Sequence, residues 1–174
     1  MKTFSFVLAV LICLPILASA VPEYVIAGPY NVSFDFGFDS YNIVEDPIKN
    51  TETLEGNKHT IYSMTIYNGS YRDSGIAIIG ITEFEEDQKF PTNDAAVKTF
   101  RNAYTDATTR SVDGTTGIIT STKLDNDITI YLAIYHPTFD PKHLNATVIS
   151  NYPWDEGTLQ LLKTIHIEKI NATV

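Results

Sequence analysis

The sequence predicts an α+β fold: an antiparallel β-sheet meander with two main helices packed on it. Several stretches alternate apolar and polar residues with a period of two, the mark of strands that bury one face. Two other stretches carry helix-start signals ahead of apolar residues at helical spacing. These helices stand apart from runs of strands instead of alternating with single ones, which excludes a doubly wound parallel sheet.

In chain order, Tyr30, Val32, Phe34 and Phe36 form the inward side of a first strand. Asp39-Ser40 turns it into Tyr41–Val44, which Asp46-Pro47 ends. Thr51 to Lys58 is polar and reads as loop. From His59 to Asn68, Tyr62, Met64 and Ile66 lie on one side, with Ile61, Ser63, Thr65 and Tyr67 on the other. Ile76 to Phe84 is rich in β-branched residues, the pattern of a central strand. Pro91-Thr92-Asn93-Asp94 opens a helix to about Asp106, with Asn93 or Thr92 as cap and Val97, Phe100 and Tyr104 on its inner face. Lys98, Arg101 and Asn102 fall on its solvated side. Asp113 to Gly117 is turn-like and leads into Ile118-Ile119, and Asp125-Asn126-Asp127 makes a second tight connection. Ile128, Ile130, Leu132 and Ile134 then alternate with Thr129, Tyr131, Ala133 and Tyr135, and Thr147 to Asn151 reads as a short strand. The last helix opens at Asp155, with Trp154 and Leu159 as a hydrophobic staple and Leu159, Leu162 and Ile165 inward.

An aromatic opening hairpin, YNVSFDFGFDSYNIV, a middle helix, NDAAVKTFRNAY, and a closing strand plus helix, VISNYPWDEGTLQLLKTI, together span most of the chain. In this order they resemble the PsbP family of extrinsic photosystem proteins and its Ran-binding relatives. The resemblance implies a PsbP-like fold and assigns no functional residue.

The N-terminal MKTFSFVLAVLICLPILASA has the form of a secretory signal: Lys2, an apolar run from Phe4 to Leu17, and the small pair Ala18 and Ala20. Cleavage after Ala20 leaves residues 21–174 as a single domain, secreted or held at the cell surface. The alternative is retention of the run as an anchor, but it is short and Pro15 interrupts it. Cys13, the one cysteine, leaves with the signal, so packing alone must hold the mature chain. A domain of about 150 residues buries roughly 70% of its unfolded surface, so it needs no disulfide.

The formal net charge of −9 argues against nucleic acid, because affinity for phosphates comes from clustered Lys and Arg. It also disfavours anionic membrane surfaces, and no apolar run after residue 20 is long enough to insert stably once the signal is cleaved. Asn31, Asn68, Asn145 and Asn171 head N-x-[ST] sequons and are candidate glycan acceptors.

Candidate chemistry is sparse. The D-S-G at Asp73-Ser74-Gly75 occurs around the catalytic aspartate of aspartic proteases and the catalytic serine of trypsin-like ones. It has no second copy to supply a paired carboxylate, and it sits between two strands among turn-forming Asn68-Gly69 and Ser74-Gly75, so it reads as a hairpin loop. His59, His136, His143 and His166 lack the spacing of a helical zinc motif, although Asp140 lies between His136 and His143. The carboxylates of Glu83, Glu85, Glu86 and Asp87, and of Asp125 and Asp127, do not follow the calcium-loop pattern and read as solvated charge. No phosphate-cradling glycine loop or other cofactor motif occurs. Among ten Tyr and nine Phe, Tyr67, Tyr71, Tyr131 and Tyr135 form a candidate aromatic patch on the outer sheet face for a protein or small-ligand partner. Helices covering that face would instead make them core residues. The expected function is therefore that of an exported, non-catalytic binding or accessory protein. The alternatives are a secreted hydrolase whose site converges only in three dimensions and a weak calcium-binding surface module.

Overall fold

A computed structural model describes residues 23–38, 41–52, 58–68, 75–85, 98, 102, 104, 106–125 and 127–170. The expected export signal, the D-S-G aspartate and serine, Tyr71, Phe100 and Asn171 lie outside them.

The described residues build a mainly β structure with two antiparallel sheets. The smaller has three strands in the order β1 (Glu23–Ala27), β2 (Tyr30–Phe34) and β11 (His166–Lys169). The larger has eight. Its path runs β3 (Tyr41–Glu45), β5 (Lys58–Asn68), β6 (Gly75–Phe84), β10 (Leu144–Ser150), β9 (Thr129–Tyr135), β8 (Thr115–Lys123) and β7 (Thr108–Val112), while β4 (Lys49–Glu52) pairs the far half of β5. One short helical segment follows β10: a π-helical turn, Trp154–Thr158, running straight into α1, Leu159–Thr164.

This corrects the α+β layout of an antiparallel meander with two main helices packed on it. Four strands, β1, β4, β7 and β11, arise where alternation is weak, because pairing to a neighbour supplies hydrogen bonds that the local sequence does not advertise. The helix expected over Asn93–Asp106 lies mostly outside the described residues, of which Lys98, Asn102 and Tyr104 are exposed. The aromatic opening hairpin is also corrected. Tyr30–Phe34 pairs with β1 and β11 in the small sheet, whereas Tyr41–Glu45 pairs with β5 in the large one.

The two sheets share one core. Tyr30, Val32, Phe34 and Phe36 are fully buried, as their alternation predicts, and meet Met64 and Ile66 of β5, Ile79 and Ile81 of β6, and Ala146 and Val148 of β10. Aromatic edges close the seam: Tyr30 meets Tyr62 at 5.5 Å, and Phe36 meets Tyr152 at 5.6 Å, both edge to face. Gly28 turns the chain between β1 and β2 at φ +57°, and a β-carbon there would overlap the Tyr62 ring, so only glycine lets the small sheet approach this closely. α1 adds Leu161 and Leu162 to the same core, and Ile165 turns extended to lead into β11.

Candidate functional site

At the end of β10 the chain is pinned before it turns. Asn151 donates its backbone amide to the Ile76 carbonyl and its side-chain amide to the Gly75 carbonyl, each at 3.0 Å. The Ser150 and Thr158 hydroxyls lie 2.7 Å apart, and Thr158 donates to the Tyr152 carbonyl at 2.6 Å. The amides of Glu156, Gly157 and Thr158 all converge on the Pro153 carbonyl, which produces the wide π turn. Gly157 sits against the Phe36 ring where a side chain would not fit. The knot carries Trp154, the single tryptophan, over the inner face of the large sheet at its β7–β9 end.

There Trp154 is half-buried, its ring 5.2 Å from that of Tyr131 and inclined at 45°. The guanidinium of Arg110, on β7, lies over the Trp154 ring at 5.2 Å from its centroid, within the range of cation–π attraction. Two hollows flank this shelf. The smaller, about 150 Å³, opens where β7 stops short of β8; its lining includes Asp106, Thr108, Arg110, Thr120 and Ser121. Past the last β7–β8 pair, Thr108 with Ile119, the Asp106 carboxylate replaces the missing strand. It accepts from the Thr120 hydroxyl at 2.8 Å and from the Ser121 amide and hydroxyl at 3.0 Å each. The Thr120 bond, then those from Ser121, hold the Asp106 carboxyl below the usual carboxylate range. The larger hollow, about 480 Å³, lies on the other side of Trp154 and is lined by Tyr131, Asn151, Pro153 and the carboxylates of Asp127, Asp155 and Glu156.

The structure divides the aromatic patch expected from Tyr67, Tyr71, Tyr131 and Tyr135. Tyr67 continues the outer side of β5, away from Met64 and Ile66, while Tyr131 and Tyr135 share the inner face of β9 with Ala133. Tyr135 is 1% exposed, its hydroxyl has no hydrogen-bond partner among the described residues, and burial, then Asp113, pushes its pKa well up. Tyr131 alone joins the Trp154 shelf. Trp154 itself was expected to staple against Leu159, with Asp155 as cap. Instead Pro153 precedes the turn, no side chain caps it, and the indole serves the shelf. Arg110 and Asp106 carry no motif. The usable signal is Arg110 two residues before Val112, on the strand side that faces the core.

The sequons differ in setting. Asn68 is exposed at the end of β5, Asn31 donates its side-chain amide to Glu168 at 2.8 Å, and the Asn145 carbonyl oxygen is sealed in the middle of the large sheet. The histidines are separately engaged. His136 donates its Nδ1–H to the Leu144 carbonyl, and His143 pairs with Asp140 at 2.9 Å. Asp113 accepts from His166 at 2.6 Å and from the Ile167 amide at 3.1 Å, tying the β7–β8 turn to β11. Among the described residues no three His, Cys, Asp or Glu side chains gather as metal donors. No helix among them is long and apolar enough to cross a membrane. A second polar cluster bridges the sheets: Tyr62 donates to Glu83 at 3.3 Å, and the sealed Tyr30 hydroxyl beside them is pushed up by burial and then by Glu83.

No family model, curated protein or solved structure matches the chain.

Proposed function

We propose that the protein is exported and acts outside the cytoplasm as a non-catalytic binding or accessory protein, taking its partner on the Tyr131–Trp154 shelf. The observation that carries this is the half-buried aromatic pair, crossed by Arg110 and open to a hollow on each side. Trp, Tyr and Arg are the side chains that most often supply the dominant contacts of interfaces. Here they stand on a strand and a pinned turn, so little ordering cost remains for binding. Export is supported by the sequence of Lys2, the apolar run from Phe4 to Leu17, and Ala18-Ser19-Ala20.

The test is recovery of the tagged full-length product from its own culture medium, followed by identification of what co-purifies. The wild type is expected to bring down a reproducible partner that Trp154→Ala loses while keeping its circular dichroism. Retention of the same partner by Trp154→Ala would remove the shelf from the interface. Intact mass of the same sample should correspond to a chain beginning at Val21.

A further inference from the structure

Of the two hollows beside Trp154, the larger has the more one-sided chemistry. Among the described residues its charged lining consists of Asp127, Asp155 and Glu156, with no Lys or Arg. Asp155 and Glu156 are exposed next to the indole that forms the wall. Asp127 is held from outside by Lys123 at 2.7 Å, an exposed pair that exchanges readily with another cation. On the opposite side, the protein already stacks a cation of its own: the Arg110 guanidinium over the same ring system. The chain as a whole is strongly acidic.

We propose that the larger hollow binds a cationic side chain, arginine above all, presented by a basic segment of a partner protein. The incoming guanidinium would lie against the Trp154 and Tyr131 rings with Asp155 and Glu156 as its counter-charges. An aromatic wall attracts a cation through its quadrupole, and a planar guanidinium matches both ring and carboxylate better than an ammonium does. The assignment rests on reading the shelf as a binding site and adds the chemistry of what it takes. Charge complementarity of this kind steers encounter and is screened by salt.

Because Trp154 is the single tryptophan, its emission reports the hollow directly. The full chain would be titrated with a short acetylated Gly-Arg-Gly-Arg-Gly amide, with the same peptide carrying citrulline for arginine, with a glutamate version, and with a neutral oligosaccharide. A saturable change with the arginine peptide is expected, weakened about tenfold or more by citrulline, by 0.5 M salt, and by the double variant Asp155→Asn, Glu156→Gln. Both substitutions fall on exposed side chains, and an unchanged melting temperature would check that the variant folds. Equal response to the citrulline or glutamate peptide, or a response to the oligosaccharide alone, would overturn the cationic assignment and leave the shelf as a binding site. Loss of the culture-medium partner in Trp154→Ala together with silence toward all four probes would do the same. Silence toward the probes and retention of that partner would overturn both readings.

Discussion

Tyr131 and Tyr135 stand on the same face of the same strand, two turns of the pleat apart, yet one lines an open shelf and the other is sealed at 1% exposure. What differs is the cover. Over Tyr135 and the β5–β6–β10 end of the inner face lies the small sheet, whose Tyr30, Val32 and Phe34, with Phe36 just beyond it, complete a continuous core. Among the described residues, the cover over Tyr131 is the turn that carries Trp154, with hollows beside it. An aromatic residue on an inner face is thus core or binding surface according to the reach of the layer above it, not according to its own strand.

The largest expected effect separates these two ends. Phe36 is fully buried among Phe38, Tyr41 and Tyr152, so Phe36→Ala should cost about 3–5 kcal/mol from lost contacts and the cavity left behind. Trp154→Ala removes a larger ring from a half-exposed position and should cost less than about 2 kcal/mol. Urea denaturation of the two variants against wild type measures the gap. Equal losses would mean that Trp154 is a core residue and that the two ends do not differ.

A smaller effect, of opposite sign, tests the sealed end alone. The Tyr135 hydroxyl is buried without a hydrogen-bond partner among the described residues, and removing such a group relieves its desolvation. Tyr135→Phe should therefore raise stability by roughly 1 kcal/mol, with Tyr131→Phe near zero. The same burial sets an alkaline limb. The folded pKa of Tyr135 lies above that of the unfolded chain, so its contribution is complete below about pH 10 and declines as pH rises beyond that. Tyr30, raised in the same direction, behaves alike. Melting temperatures between pH 8 and pH 11 should fall less steeply for Tyr135→Phe than for wild type, and parallel curves would show that the hydroxyl ionises freely in the folded state.

The contrast between Tyr131 and Tyr135 also explains what was legible in the sequence. The buried sides of β2 and β5 and the strand position of β9 follow from alternation, and the position of β6 from its β-branched run. β4, with every residue exposed, and β7, with a single buried residue, exist through pairing with the next strand along the chain and leave little local trace in their own residues. Alternation says that Tyr131 and Tyr135 share a side, and that Tyr67 opposes Met64 and Ile66. It does not say how β5 and β9 are phased across the two strands between them. That phase is set by Tyr135 standing opposite Ala146 and by Val148 opposite Ile79, which is long-range register. The shelf was hidden for a related reason: Arg110, Tyr131 and Trp154 come from separate elements, and the π turn that brings the indole over has no side-chain cap to announce it.

The smallest effect concerns the open end, where Asp106 stands in for a strand. Its carboxylate bonds to Thr120 and Ser121 exist only in the folded chain, so its folded pKa lies below the unfolded value of about 4. The stabilisation is present above that unfolded value and is lost as pH falls through the folded one. The side chain is solvent-facing, so the contribution is modest and screened. Asp106→Asn should lower the melting temperature slightly at pH 6, and the two proteins should converge as the pH falls through the lowered pKa of the folded state. A carboxyl carbon titration placing Asp106 at or above the ordinary range would show that the bonds to β8 do not hold in solution. Because the same carboxylate lines the smaller hollow beside Arg110, the substitution should also shift Trp154 emission while leaving the core untouched, since only the open end depends on it.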